Sequence, residues 1–249
     1  MPKVSILIPT HLRMEIASLM RTTPNLKPMD FEVCVLGQPP VTHRFLEQQK
    51  VHRHIIVPVP KVKNLIEMVQ WYAYLMSMGS DCEYYLIVDH DHRFKEAKDG
   101  KPSSGQYYQE CIDYMDANPD VGVFLTKSYF GGAAWKYEIK KNPENGLVNI
   151  NTGMFLRNVP EFVLTEEEKS FVGTLVESLL AYKMMALGYK LAKRYYCPTR
   201  YTRNKRLYSG LPTYSRTVLL ANIQGYIRRI YNDPEWDHES RKYPRGLKR

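Results

Sequence analysis

Val4-Ser-Ile-Leu-Ile-Pro9 is a nearly unbroken apolar run, which predicts a strand covered on both faces. Comparable runs recur at Phe31–Leu36, His54–Val59, Tyr84–Asp89 and Val121–Lys127. Between them the apolar positions fall three and four apart. Short helical patterns cover Glu15–Arg21 and Thr42–Gln49. A longer one runs from Lys61 to Met78 through Val62, Leu65, Ile66, Val69, Tyr72, Ala73 and Met76, and Gly79 stops it. Lys95–Gln106 is polar and glycine-bearing, so a loop is expected before a helix at Tyr107–Ala117. Strand pattern returns at Val148–Arg157 and at Tyr189–Ala192. Thr165, with Glu168 three residues on, forms a capping box, and a long helix is expected from about Phe171 to Leu187. Alternating strands and helices predict an α/β fold, a mostly parallel sheet flanked by helices. Such sheets bind ligands at the carboxyl ends of their strands.

The fourth run ends at such a point in Asp89-His90-Asp91-His92. In an extended backbone residues two apart point the same way, so both carboxylates are expected to face one site. Two like charges so close need a cation between them. Hard oxygen ligands suit Mg²⁺ or Mn²⁺, which also bind phosphates. A polar turn after a strand is the plainer reading, but so apolar a run rarely ends in an acidic cluster for folding reasons alone.

The order of these features resembles the family-2-like nucleotide-sugar glycosyltransferases of the GT-A fold, over roughly residues 3–195. They open on a strand ending in Pro-Thr, here Pro9-Thr10, followed by a polar residue and often an arginine, here His11 and Arg13. An Asn in the helix before the fourth strand matches Asn64. The Asp-x-Asp motif is Asp89-His90-Asp91. Val176-Glu177-Ser178 precedes, by a dozen residues, a Gly188-Tyr189-Lys190 turn into a strand. The resemblance implies a divalent cation on Asp89 and Asp91, with Asp89 also near the donor, and Glu177 as the base that deprotonates the acceptor. It implies donor contacts from Pro9, Thr10, His11, Arg13, Asn64 and Asp89, with a UDP-sugar as the expected donor. The family's second strand usually ends in acidic residues. Here it ends Leu36-Gly37-Gln38-Pro39, so Gln38 takes their place in a base pocket built differently. The family often adds a late histidine to the metal, and His238 is the candidate, with His90 and His92 as nearer ones.

Charge decides what is expected of the acceptor. The net charge is +9, and residues 190–249 hold 15 Lys plus Arg against 4 Asp plus Glu, while the other 189 residues hold 20 against 22. Eight tyrosines are interleaved with this charge. We therefore expect two parts: a GT-A domain over 1–195 and a basic, Tyr-rich extension over 196–249, packed on or near the active site. Cations with aromatics suit a nucleic acid. Arg200, Arg203, Lys205, Arg206, Arg228 and Arg229 are the expected phosphate contacts. The acceptor expected is DNA carrying hydroxymethylated bases, of the kind made by bacteriophages, where the base leaves the stack to meet the donor. Synthesis of a surface polysaccharide or lipid-linked glycan at an anionic membrane is the second enzymatic reading. A nucleic-acid-binding module that has lost catalysis is the non-enzymatic one, and the retained Asp89, Asp91 and Glu177 argue against it. No membrane-length apolar run or secretory signal is expected, and four scattered cysteines predict a reduced, cytoplasmic protein.

Overall fold

The computed structural model describes residues 1–57, 68–79, 81–126, 139–141, 153–170, 176–194, 199–201 and 226. The alternating pattern folds as β1 (Val4–Thr10), α1 (Arg13–Met20), a 3-10 turn (Thr23–Leu26), β2 (Phe31–Gly37), α2 (His43–Gln48), β3 (Arg53–Ile56), α3 (Met68–Met78) and β4 (Tyr84–Ile87). It continues as β5 (His92–Phe94), α4 (Ser104–Ala117), β6 (Val121–Thr126), β7 (Ile139–Lys141), β8 (Met154–Arg157), α5 (Glu166–Lys169), α6 (Val176–Ala186), β9 (Lys190–Arg194) and β10 (Thr199–Tyr201).

Eight strands form one sheet in the order β3-β2-β1-β4-β8-β6-β9-β7. β1 pairs parallel with both β2 and β4, β2 with β3, and β6 with β9. β8 runs antiparallel between β4 and β6, and β7 is an antiparallel edge on β9. All seven residues of β1 are buried, as an unbroken apolar run requires of a central strand. Its alternate side chains feed two cores. Leu7 joins Leu36, Tyr72, Ile87, Leu179 and Leu180 under α3 and α6. Ile6 and Ile8 join Val33, Val35, Leu46, Tyr107 and Tyr108 under α1, α2 and α4. The sheet is thus covered on both faces.

Several boundaries differ from the sequence pattern, each for a local reason. The expected loop Lys95–Gln106 ends early, because Ser103 and Gln106 form a capping box that opens α4 at Ser104. The helix expected over Phe171–Leu187 is Val176–Ala186 within the described residues. The Thr165–Glu168 capping box opens a separate turn, α5. The early part of the Lys61–Met78 pattern and most of the basic extension lie outside the described residues. The three-residue strands β5 and β10 have no counterpart in the pattern, whereas β7 falls in the stretch around Lys136–Leu147 where a ribbon-like excursion is expected. β10 pairs antiparallel with β5 in a second, two-stranded sheet. Cys34, Cys82 and Cys111 are buried free thiols. Among the described residues no helix is long and apolar enough to cross a membrane.

Candidate active site

β1, β2 and β4 run parallel and end at one edge, which brings Pro9, Thr10, Gln38 and Asp89 together. The Gln38 backbone N–H donates to the Thr10 carbonyl at 2.9 Å. The Leu12 N–H donates to Thr10 Oγ1 at 3.2 Å and closes the turn into α1. Gln38 is 8% exposed, and its Nε2 has no hydrogen-bond partner among the described residues. His90 Nδ1 lies 3.3 Å from the Pro9 carbonyl, and its ring meets that of His11 edge-on at 5.5 Å. Burial lowers the pKa of both rings. Arg13 points to the β2–α2 side: its Nε donates to the Pro40 carbonyl at 2.6 Å, and its guanidinium lies 5.7 Å from the Phe45 ring centre.

The carboxylates converge differently from the extended alternation expected. β4 ends at Ile87, and residues 89–92 fold into a turn closed by the His92 N–H on the Asp89 carbonyl at 3.2 Å. The turn, rather than the pleat, gathers the side chains. Ligand atoms of Asp89, Asp91 and His92 all lie within 4.8 Å of one another. Asp91 and His92 are 3% and 1% exposed, whereas Asp89 is open to solvent. Desolvation nevertheless pushes the Asp89 carboxyl up to about 8, and the charges of Glu177 and then Asp91 add to it. The surrounding protein desolvates the carboxyl although the residue keeps an open side to solvent. Burial pushes His92 down to about 4, so its ring is neutral at neutral pH, as a ligand must be.

Glu177 stands in the first turn of α6, half-buried, and burial pushes its carboxyl up to about 7. It is the neighbouring charge that acts most on Asp89. The fold therefore brings together a β4-end carboxylate and an α6 carboxylate 88 positions apart. Tyr72 of α3 is fully buried, the charges of Glu177 and Asp89 reach its phenol, and its Oη has no hydrogen-bond partner among the described residues. Nothing in the sequence pattern separates Tyr72 from an ordinary core residue.

Other residues brace the turn. Arg93 donates to Glu15 Oε2 at 2.8 Å and to the His92 carbonyl at 2.5 Å. The Asn25 amide donates to the Phe94 carbonyl, and the Phe94 N–H donates to Thr22 Oγ1, both at 3.0 Å. Thr199 Oγ1 and His92 Nδ1 share a hydrogen bond of 3.0 Å. Of the residues expected to meet the acceptor, Arg200 is placed by its backbone in β10 opposite Arg93. Arg203, Lys205, Arg206, Arg228, Arg229, His238 and the donor candidate Asn64 lie outside the described residues. Tyr226 is described: it is 5% exposed in the core under α3 and α6, and its hydroxyl donates to Glu168 Oε1 at 3.3 Å. Lys183 Nζ donates to the same carboxylate at 2.8 and 3.0 Å.

Two carboxylates and a neutral imidazole form a donor set that fits Mn²⁺ and accepts Mg²⁺. The like-charge repulsion at Asp89 is what a bound cation would relieve.

No protein-family model and no curated protein sequence matches the chain. Solved structures do resemble it. S. aureus TarS 1–349 shares 12% identity at a TM-score of 0.59, over 91% of this chain and 64% of that one. Glucosyl-3-phosphoglycerate synthase from Mycobacterium tuberculosis, in complex with Mn²⁺, UDP-glucose and phosphoglyceric acid, shares 12% identity at 0.57, over 94% and 82%. The mannosyltransferase PcManGT from Pyrobaculum calidifontis, in complex with GDP-Man and Mn²⁺, shares 13% at 0.51, over 92% and 71%. The chain thus spans less than two thirds of the TarS chain. At these identities the likeness is one of architecture, and the chain has the GT-A fold.

Proposed function

We propose that this chain is a glycosyltransferase that moves a sugar from a nucleotide diphosphate donor to a hydroxyl acceptor. The observation that carries the reading is the convergence of Asp89, Asp91 and Glu177 at the carboxyl edge of a GT-A sheet. Structural neighbours that hold Mn²⁺ with UDP-glucose or GDP-Man support it. Asp91 and Asp89 would hold the cation, Mn²⁺ or Mg²⁺. When bound, it neutralises the diphosphate leaving group as a Lewis acid. Pro9, Thr10, His11, Arg13 and Gln38 lie along the edge where the nucleotide is seated, and Gln38 offers a buried amide to the base. The acceptor oxygen attacks the anomeric carbon as the bond to the diphosphate breaks, and its proton passes to Glu177. A carboxylate whose pKa sits near 7 is matched to that transfer. This assignment corresponds to inversion at the anomeric carbon.

For the acceptor we propose DNA bearing hydroxymethylated bases. The basis is the concentration of positive charge and tyrosine in residues 190–249. The test is nucleotide-sugar turnover with Mn²⁺ on hydroxymethylcytosine-containing and unmodified DNA, with Asp91→Ala as control. Release of nucleotide diphosphate that needs the modified DNA and vanishes in the control is expected. Donor binding without turnover on either DNA would move the acceptor to a glycan or lipid. No donor binding at all would sink the transferase reading.

A further inference from the structure

His92 sits between two attachments. Its Nδ1 is 3.0 Å from Thr199 Oγ1, and its Nε2 is 3.9 Å from Asp91 Oδ1. The second distance is too long for a hydrogen bond. Two ligands each about 2.1 Å from one cation stand between about 3.0 Å apart at right angles and about 4.2 Å apart in line, so 3.9 Å leaves room for a cation between them. His92 and Thr199 are each 1% exposed, so neither reaches bulk water in place of the other. A ring anchored by one nitrogen, with the other turned toward carboxylates, is how ligating histidines are oriented. The anchor comes from elsewhere in the chain: β10 reaches β5 by antiparallel pairing, with Thr199 opposite Phe94 and Tyr201 opposite His92.

We propose that His92 supplies a nitrogen ligand to the metal centre and that Thr199 positions it, which makes strand β10 part of the site. This rests on the metal-dependent transfer proposed above. With Nδ1–H donating to Thr199 Oγ1, Nε2 is the nitrogen on the Asp91 side of the ring and the one that would meet the cation. A nitrogen donor shifts preference from Mg²⁺ toward Mn²⁺ and later first-row ions, because Mg²⁺ favours oxygen alone. The carboxylates bring the charge, and the imidazole sets the selectivity.

The test is direct Mn²⁺ titration of the full chain without nucleotide, followed by electron paramagnetic resonance, with Mg²⁺ as competitor. His92→Gln and Thr199→Val are each expected to weaken Mn²⁺ binding by about 10- to 100-fold. Thr199→Ser, which keeps the hydroxyl, should stay within about twofold of the parent. The preference for Mn²⁺ over Mg²⁺ should shrink in His92→Gln. Melting curves report whether each variant folds, and if His92→Gln does not, the Thr199 pair decides. Unchanged Mn²⁺ binding in folded Thr199→Val, with binding lost in Asp91→Asn, would overturn the proposal and leave the carboxylate centre standing. No Mn²⁺ binding by the parent chain would overturn both.

Discussion

Arg93 donates to the Glu15 carboxylate at 2.8 Å, and both side chains are almost enclosed, 12% and 10% exposed. The pair ties β5 to the first turn of α1, across the site from the strands that end there. Truncating one member leaves a charge with little water to fall back on. Glu15→Ala is expected to cost about 3 kcal/mol, the lower end of the range for breaking such a pair. Urea denaturation at constant m-value measures it. A cost below about 0.5 kcal/mol would put this pair with ordinary surface ones.

Without a divalent cation, stability should fall as the solution becomes alkaline. Asp89 rises from 3.8 to about 8 on folding, and Glu177 from 4.5 to about 7. Both folded-state values lie above the unfolded ones, so the folded chain binds these protons more tightly. Their contribution is complete below the unfolded values and disappears as pH passes 7 and then 8. Melting temperature in chelator should therefore drop progressively from about pH 4 to 8 and level off above, and Mn²⁺ should reverse the drop. A flat or rising profile in chelator would contradict the desolvation of these two carboxyls.

Glu177→Gln should slow turnover by about 10²–10⁴-fold while leaving donor binding within a few-fold, since only proton acceptance is removed. In the parent, the rate should rise with pH through about 7 as the base ionises, and that limb should vanish in the variant. A variant that keeps the limb would assign the base elsewhere.

Tyr72→Phe is expected to raise the melting temperature of the unliganded protein. The phenol is fully buried and its hydroxyl has no hydrogen-bond partner among the described residues. A desolvated, unbonded hydroxyl costs about 1–3 kcal/mol, and phenylalanine keeps the packing. A lower melting temperature in differential scanning calorimetry would show that the hydroxyl is bonded after all.

Gly105 is fixed by proximity. A Cβ there would lie 2.1 Å from the Leu26 carbonyl carbon and 2.3 Å from the Lys27 carbonyl oxygen. Backbone must move to admit it, and the turn that moves is the one holding Phe94 of β5. Gly105→Ala is expected to destabilise by about 1–3 kcal/mol. It should also loosen Mn²⁺ binding, which calorimetric titration would register.

The central sheet was readable because its strands are buried on both faces. Val4–Thr10 and Phe31–Gly37 need apolar residues at nearly every position, and such runs stand out. The Asp89-His90-Asp91 cluster was readable because it breaks such a run. What was hidden depends on contacts between distant positions. His92–Phe94 and Thr199–Tyr201 are too short to show a period, and only their pairing makes them strands. Arg93 and Glu15 look like surface charges until the turn folds them together. Ser103 with Gln106 did carry a legible signal, the Ser-x-x-Gln of a capping box, although the stretch around it is as polar as a loop.

The Thr199–His92 hydrogen bond has a consequence for the order in which the molecule forms. It joins positions 107 residues apart. Closing so long a segment is entropically costly until intervening strands have shortened the path. The imidazole is therefore steadied late in folding, after the central sheet is in place. During synthesis the same holds in time: a nascent chain displays Asp89 and Asp91 well before the residue that braces their neighbour has been added. The centre matures as one of the last acts of folding.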